Sequence, residues 1–199
     1  MALEAELFHN PPVPTLGAMT PCAVGSMNYN VVTTLIRDSR LLTLQRGAEI
    51  GVLEGALSEY LLRSFPELKL YSIDPYVDYQ EFEANRTQES LTQCEIVTRE
   101  KLKKFGQRSQ LIKEYSVQAA QRFADCSLDF VFIDAIHSYE AVKADIEAWF
   151  PKVRSQGLLM GHDISWDGVA DAVTEFGKAH KILTFKTPST SDVWFFVKT

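Results

Sequence analysis

The residues with the clearest chemical potential are two glycines and two acids in the first half of the chain. Glu49, Gly51 and Gly55 stand at the end of a short apolar run, and Asp74 ends a second run roughly 20 residues further on. Glycine lets a backbone turn sharply and approach a ligand closely, and the free N–H groups of the next helix favour an anion. An acid after the following strand can accept hydrogen bonds from both ribose hydroxyls. The spacing favours a nucleoside ligand over the alternative, a plain strand-to-helix turn with a turn former before Pro75.

Polar residues also follow two later apolar runs. Asp134 comes directly after residues 128–133, and Gly161, His162 and Asp163 come after residues 157–160. In open sheets flanked by helices, ligands bind beyond the carboxyl ends of the strands. A polar residue or a glycine at nearly every strand end is hard to explain by packing, so this edge of the sheet is the predicted site.

The elements that must position these residues alternate from Gly47 onward. Strand-like runs are separated by helical stretches, which predicts an α/β fold with a mostly parallel sheet and helices on both faces. Seven strands are predicted. The last two have only residues 186–192 between them, too short for a parallel crossover, so one strand is expected to be antiparallel.

Charge and composition exclude several classes of protein. The chain has 199 residues, a net charge of −6 and 46% hydrophobic residues, which is typical of a soluble globular domain. The acidic balance argues against a nucleic-acid partner, and no apolar run approaches the ~18 residues of a membrane span. Three scattered cysteines without a CxxC pair predict a reducing, cytoplasmic setting.

The glycine pattern also bears on the type of nucleoside cofactor. Leu53 stands where the dinucleotide fingerprint GxGxxG has its middle glycine. A nicotinamide-dependent oxidoreductase on a similar sheet is therefore the alternative rather than the preferred interpretation. A non-catalytic nucleoside-binding protein is a second alternative.

The same segments resemble a known family. Residues 48–62 look like the first motif of class I S-adenosylmethionine-dependent methyltransferases, and residues 72–75 look like the next. Residues 129–140, followed by residues 157–163, resemble the small O-methyltransferase branch of the catechol and macrocin types. The resemblance covers residues 46–199 and implies a Rossmann-like methyltransferase fold that uses S-adenosylmethionine.

The resemblance implies a role for each of these residues. Glu49, Gly51 and Gly55 would line the methionine part of the cofactor, Asp74 would bind the ribose, and Ser116 with Val117 would lie near the adenine. At the centre of methyl transfer, Asp134 would be an acid or a metal ligand, and His137 stands where catechol-type relatives carry a lysine base. His162 and Asp163 stand at the positions of two further metal ligands.

The metal and the base each have an alternative. Asp134, His162 and Asp163 can form a divalent site because their two strands should be neighbours, but a histidine shifts the preference from Mg²⁺ toward Mn²⁺ and its neighbours. The other interpretation of His162 and Asp163 is a capped turn before a helix. His137 is a reasonable base near neutral pH, or alternatively a cap of the helix that follows.

The domain organisation leaves the methyl acceptor open. Residues 1–27 hold half of the eight prolines and predict an irregular arm, while residues 28–199 form a single methyltransferase domain. A small-molecule acceptor fits a chain without room for a separate recognition domain. The arm is a candidate lid or homodimer contact.

Overall fold

The computed structural model of the protein describes residues 29–39, 44–81, 84–187 and 191–199. The predicted arm at residues 1–27 lies outside the described residues. The helices are α1 Tyr29–Asp38, α2 Ala56–Ser64, α3 Gln88–Lys103, α4 Ser116–Ala120, α5 Tyr139–Trp149 and α6 Asp167–His180. The strands are β1 Arg46–Ile50, β2 Lys69–Ile73, β3 Tyr79–Glu81, β4 Ala84–Arg86, β5 Ser109–Ile112, β6 Leu128–Ile133, β7 Val153–Gly161, β8 Phe185–Lys186 and β9 Trp194–Val197.

A seven-stranded sheet forms the centre of the described structure. Its order is β5-β2-β1-β6-β7-β9-β8, and the pairs from β5 to β7 are all parallel. Strand β9 runs antiparallel to both of its neighbours. The predicted fold class is confirmed, with one refinement: β8 has only two residues, so six strands carry nearly all of the sheet.

Helices cover both faces of the sheet. Alternate strand residues such as Ile50, Ile133 and Leu159 pack under α4, α5 and α6 in one apolar cluster. Residues of opposite parity, such as Phe130 and Phe132, pack with α1, α2 and α3 in a second cluster. All six residues of β6 are buried, as a run that is apolar except for Asp129 predicts for a central parallel strand.

The structure also contains an element that the sequence did not predict. Strands β3 and β4 form a two-stranded antiparallel hairpin between β2 and α3. Each strand has three residues, too few for a recognisable alternation. None of the helices in the described ranges combines the length and the hydropathy that crossing a membrane requires.

Candidate active site

The carboxyl ends of the parallel strands meet at one edge of the sheet. Gly51, Asp74, Asp134 and His162 each follow a strand, and each donates its backbone N–H to the last residue of the neighbouring strand, at 2.8–3.2 Å. These hydrogen bonds extend the sheet ladder by one residue into the loops. The predicted site residues are therefore held in register with one another.

A cavity of about 530 Å³ opens at this edge. Seven of the predicted site residues line it: Glu49, Gly51, Asp74, Ser116, Val117, Asp134 and His137. Gly55, His162 and Asp163 are not among its lining residues. Gly55 instead caps α2 with a positive φ of 70° and faces Thr98 of α3, so its contacts are with the protein.

Gly51 is required by the close approach of two loops. Its φ is +83°, and a Cβ built there would lie 2.0 Å from the carbonyl oxygen of Asp134. Any side chain at this position would push apart the ends of β1 and β6, where the cavity begins.

Gly51→Ala is expected to lower the free energy of unfolding by about 1 to 2 kcal/mol more than a matched glycine variant, because overpacking against backbone adds to backbone strain. The matched control is Gly106→Ala, since Gly106 also has a positive φ but no atom within 4 Å of a built Cβ. Denaturant unfolding measures both. Equal losses in the two variants would show that the approach to Asp134 costs nothing.

Glu49 is a buried acid at the floor of the cavity. The Ser58 hydroxyl donates to its carboxylate, and Ser58 lies 2.6 Å from the Ser72 hydroxyl. Burial raises the pKa of Glu49 to about 8; the Ser58 hydrogen bond opposes this rise, and the nearby Asp134 and Asp74 carboxylates add to it. At neutral pH this side chain is mostly protonated in the free protein.

Asp74 organises two loops as well as lining the cavity. Its carboxylate accepts hydrogen bonds from the backbone N–H groups of Val52 and Leu53, at 2.9 and 3.0 Å, and of Tyr76, at 2.8 Å. Leu53 and Tyr76 both have positive φ angles, a conformation that is costly for large side chains. A carboxylate has about four acceptor positions, so roughly one is left for a ligand.

Ser116 and Val117 are the first two residues of α4, and both line the cavity. The Ser116 hydroxyl accepts a hydrogen bond from the Trp149 indole at 2.8 Å, so it contacts the protein in the absence of a ligand. Val117 is 44% exposed, and Ile136 of the same cavity is 41% exposed. An apolar ligand surface would cover Val117.

Two histidines and two aspartates cluster at the ends of β6 and β7. Nε2 of His137 lies 2.8 Å from Oδ2 of Asp163 and 3.9 Å from Oδ1 of Asp134. Nδ1 of His162 lies 3.1 Å from Oδ2 of Asp163. One ligand atom from each of Asp134, His162 and Asp163 falls within 4.8 Å of the others. The structure thus brings these three residues together, and their role as metal ligands stays a prediction.

The charges of this cluster are interdependent. Burial acts to raise the pKa of Asp163, but His137 and His162 outweigh it and hold the pKa well below its ordinary value. Burial raises the pKa of Asp134, against an opposing effect of His137. Burial lowers the pKa of His162, but the Asp163 and Asp134 carboxylates outweigh it and raise that pKa. Asp163 is thus the residue held most firmly as an anion.

Trp166 fixes the ring of His137. The two rings stack with centroids 4.9 Å apart and planes 30° apart. Trp166 itself packs against the apolar cluster beneath α5 and α6. His137 is therefore held between an aromatic face and the Asp163 carboxylate, which restricts its rotamer.

The cavity is also lined by residues that the sequence did not indicate, and three of them carry groups of chemical interest. Tyr29 reaches the cavity from the first residue of α1, Arg86 from the hairpin and Asp145 from α5. Asp145 carried a detectable signal, because it lies between Val142 and Ile146 on the apolar stripe of its helix. Tyr29 and Arg86 carried none, since they are brought to the cavity by tertiary packing.

Comparison with known proteins agrees with this geometry. A family profile described as a methyltransferase domain matches residues 48–164, more than half of the chain. The match runs from β1 to the loop after β7, which includes all ten of the predicted site residues.

Solved structures resemble the whole fold. A Corynebacterium glutamicum protein aligns with a TM-score of 0.68 and 18% identity, over 89% of this chain and 82% of its own. A Staphylococcus aureus protein, provisionally named a caffeoyl-CoA O-methyltransferase, aligns with a TM-score of 0.66 and 18% identity, over 88% of this chain and 85% of its own. The O-methyltransferase NovP aligns with a TM-score of 0.63 and 15% identity, over 86% of this chain and 79% of its own. At these identities the likeness establishes the fold alone.

A curated relative covers much less. An uncharacterized protein of Sinorhizobium fredii is 34% identical over 55 residues, which are 28% of this chain and 6% of that protein. This chain therefore spans a small fraction of that relative's length. The family profile, the sheet order and the acidic cavity at the strand ends agree with one another. The chain belongs to this family of methyltransferase domains.

Proposed function

We propose that this methyltransferase transfers a methyl group from S-adenosylmethionine to an oxygen atom of a small-molecule acceptor. The observation that carries the proposal is the cavity at the strand ends, where Glu49, Asp74 and Asp134 present acids toward one space and His137 stands at its margin. A carboxylate in such a cavity attracts a cationic sulfonium, and a bound cation in turn favours the ionised form of Glu49.

The cavity residues divide along a bound cofactor. Glu49 and Gly51, at the end of β1, would hold the methionine part, whose ammonium group carries a positive charge. Asp74, which follows β2, would accept a hydrogen bond from a ribose hydroxyl through its remaining acceptor position. The exposed Val117 would cover one face of the adenine, and Ser116 would lie behind that face.

His137 is the proposed general base. Methyl transfer breaks the carbon–sulfur bond and forms a carbon–oxygen bond; the bonding electrons go to sulfur, and the acceptor oxygen must lose its proton. The Asp163 carboxylate at one nitrogen of His137 stabilises the imidazolium that forms when the ring takes this proton. Trp166 holds the ring in place for that step.

Asp134, His162 and Asp163 suit a divalent metal. Two carboxylates and one imidazole, with ligand atoms within 4.8 Å of one another, are a donor set that Mn²⁺ accepts more readily than Mg²⁺ does. A bound ion would lower the pKa of an acceptor hydroxyl and orient it. The residues of this chain would hold the ion and, through Asp163, connect it to His137.

Metal binding is expected to favour Mn²⁺. Titration of the protein with Mn²⁺, followed by electron paramagnetic resonance, should show saturable binding that Asp163→Asn weakens and Asp171→Asn does not, since Asp171 lies on the exposed face of α6. Equal binding to the wild type and to Asp163→Asn would remove Asp163 from the metal site. Chelator-treated protein with full activity would remove the metal from the reaction.

The proposed activity is tested by following the coproduct. Incubation with S-adenosylmethionine and pools of phenols, aliphatic alcohols or amines should yield S-adenosylhomocysteine, detected by mass spectrometry, in the hydroxyl pools. A parallel thermal-shift series with reduced nicotinamides should show no stabilisation. Product only in the amine pools would replace oxygen by nitrogen as the acceptor atom.

A further inference from the structure

Asp192 anchors the loop that follows Asp163. It lies between β8 and β9, and its carboxylate accepts two hydrogen bonds from Ser165. The backbone N–H of Ser165 donates to Oδ1 at 3.0 Å, and its hydroxyl donates to Oδ2 at 2.6 Å. The backbone carbonyl of Asp192 also accepts from the N–H of Ile164, at 3.3 Å. One residue of the β8–β9 loop therefore fixes the two residues directly after Asp163.

The backbone of Asp163 needs such an anchor. Its φ is +57°, in the left-handed region that is costly for a residue with a side chain. A conformation of this kind persists only where the surrounding structure holds it. The N–H of Trp166 donates to the Asp163 carbonyl at 3.0 Å, and Asp192 secures the residues between them. Loss of the anchor would let Asp163 return to an ordinary φ.

The anchored loop supplies two of the contacts that hold His137. The Asp163 carboxylate lies 2.8 Å from Nε2 of His137, and the Trp166 ring stacks on the His137 ring. Hydrogen bonds weaken steeply with distance and angle, so a backbone shift of about 1 Å in this loop would disrupt the first contact. The orientation of His137 therefore depends on where residues 163–166 are held.

The strand behind Asp192 is tightly packed. Trp194, two residues further along the chain, is 1% exposed, and its indole donates to the His162 carbonyl at 3.1 Å. A Cβ built on Gly161 would lie 2.4 Å from the Trp194 ring, so the ends of β7 and β9 are in close contact. Asp192 thus transmits the position of a rigid strand end to the loop.

We infer that Asp192 is a positioning residue for methyl transfer, which anchors Ser165 and thereby keeps Asp163 and Trp166 against His137. This inference rests on the proposed function, in which His137 removes the proton of the acceptor. Asp192 is not one of the described residues that line the cavity. It therefore acts through the loop and does not touch the ligands.

Steady-state kinetics of three variants test the anchor. Asp192→Ala removes both carboxylate acceptors and should lower kcat about tenfold to a hundredfold, the usual cost of losing the orientation of a reacting group. The KM for S-adenosylmethionine should stay within about twofold of the wild type. Asp192→Asn keeps an acceptor oxygen for Ser165 and should recover most of the lost kcat. Asp125→Ala is the control, since Asp125 pairs with Lys152 at 2.7 Å before the start of β6, and should keep kcat.

A spectroscopic readout tests the same contact without turnover. The stacked Trp166 ring shifts the NMR resonances of the His137 ring protons, which are identified by their loss in His137→Asn. Asp192→Ala should move these resonances toward their unstacked position, whereas Asp192→Asn and Asp125→Ala should leave them in place. Thermal unfolding verifies that Asp192→Ala is folded. If it is not, Ser165→Ala, which removes only the hydroxyl donor, should cause smaller changes of the same sign in kcat and in the resonances.

The outcomes separate this inference from the proposed function. Wild-type kcat in folded Asp192→Ala, or a lower kcat with unmoved His137 resonances, would overturn the positioning role and leave methyl transfer in place. An equal loss of kcat in Asp192→Asn and Asp192→Ala would also overturn it, because charge rather than the hydrogen bonds to Ser165 would then matter. A wild type that transfers no methyl group would overturn both the inference and the proposed function.

Discussion

Glu49→Gln is expected to raise the melting temperature of the free protein by about 6 to 12 °C at pH 7 and to weaken cofactor binding by about tenfold to a hundredfold. Both effects have one cause. The side chain is 3% exposed, and burial raises its pKa to about 8 from an ordinary value of 4.5. The folded protein therefore holds a proton that the unfolded chain releases at neutral pH.

The sign of the pH dependence follows from that difference. Below pH 4.5 the carboxyl is protonated in both states and costs the fold nothing. Between pH 4.5 and about 8 the carboxyl ionises in the unfolded chain but not in the fold, which lowers the free energy of unfolding. This loss reaches about 3 kcal/mol at pH 7. Glutamine does not ionise, and its amide oxygen can still accept the hydrogen bond of the Ser58 hydroxyl. The increase in the free energy of unfolding should therefore be small at pH 5 and large at pH 8.

The loss of binding has an electrostatic origin. The ammonium group of the cofactor's methionine part would stabilise the ionised form of Glu49. The amide of glutamine is neutral and cannot form this charge–charge interaction. Melting curves at pH 5, 7 and 8, with titration of S-adenosylmethionine, measure both effects. Glu67→Gln is the control, because Glu67 is exposed and does not line the cavity. If the melting temperatures of Glu49→Gln and the wild type differed by the same amount at pH 5, 7 and 8, the buried, protonated state of Glu49 would be contradicted.

His137→Asn is expected to lower kcat for methyl transfer by about a hundredfold to ten-thousandfold, the usual contribution of a positioned general base. Asparagine keeps a polar side chain near Asp163 but cannot take a proton from the acceptor. The affinity for S-adenosylhomocysteine should change little, because in the proposed mechanism His137 contacts the acceptor and not the cofactor.

The control for this variant is His180→Asn. His180 lies at the end of α6, stacks on Phe176 and is absent from the cavity lining. Its substitution should leave kcat unchanged and alter only stability. A His137→Asn protein that keeps most of its kcat would show that another group removes the proton. Unchanged kcat with greatly weakened cofactor binding would move His137 to the cofactor site.

The sequence predicted those features that depend on local pattern. Apolar runs followed by Asp74, Asp134 and His162 located the strand ends, and the short link before the last strand correctly predicted an antiparallel β9. Gly51 was predicted as a site residue because a glycine lets the backbone approach a ligand closely. In the structure, the close approach at Gly51 is to the carbonyl of Asp134 within the protein.

Other features could not be read from the chain because they depend on tertiary contacts. The hydrogen bonds of Asp74 to Val52 and Leu53 join segments more than 20 residues apart, so its role in shaping the loop was invisible. Tyr29 reaches the cavity only because α1 packs beside α2. Asp145 looks like an interruption of an apolar stripe until the cavity on the same face of α5 is known.

The proposed function requires that the cavity at the strand ends bind S-adenosylmethionine and its product. Titration calorimetry of the purified protein with S-adenosylhomocysteine tests it most directly, since this ligand fills the same space and needs no acceptor. We expect saturable binding at one site per chain and no heat from reduced nicotinamides. Glu49→Gln should bind more weakly with the same stoichiometry. Binding of a reduced nicotinamide with none of S-adenosylhomocysteine would contradict it.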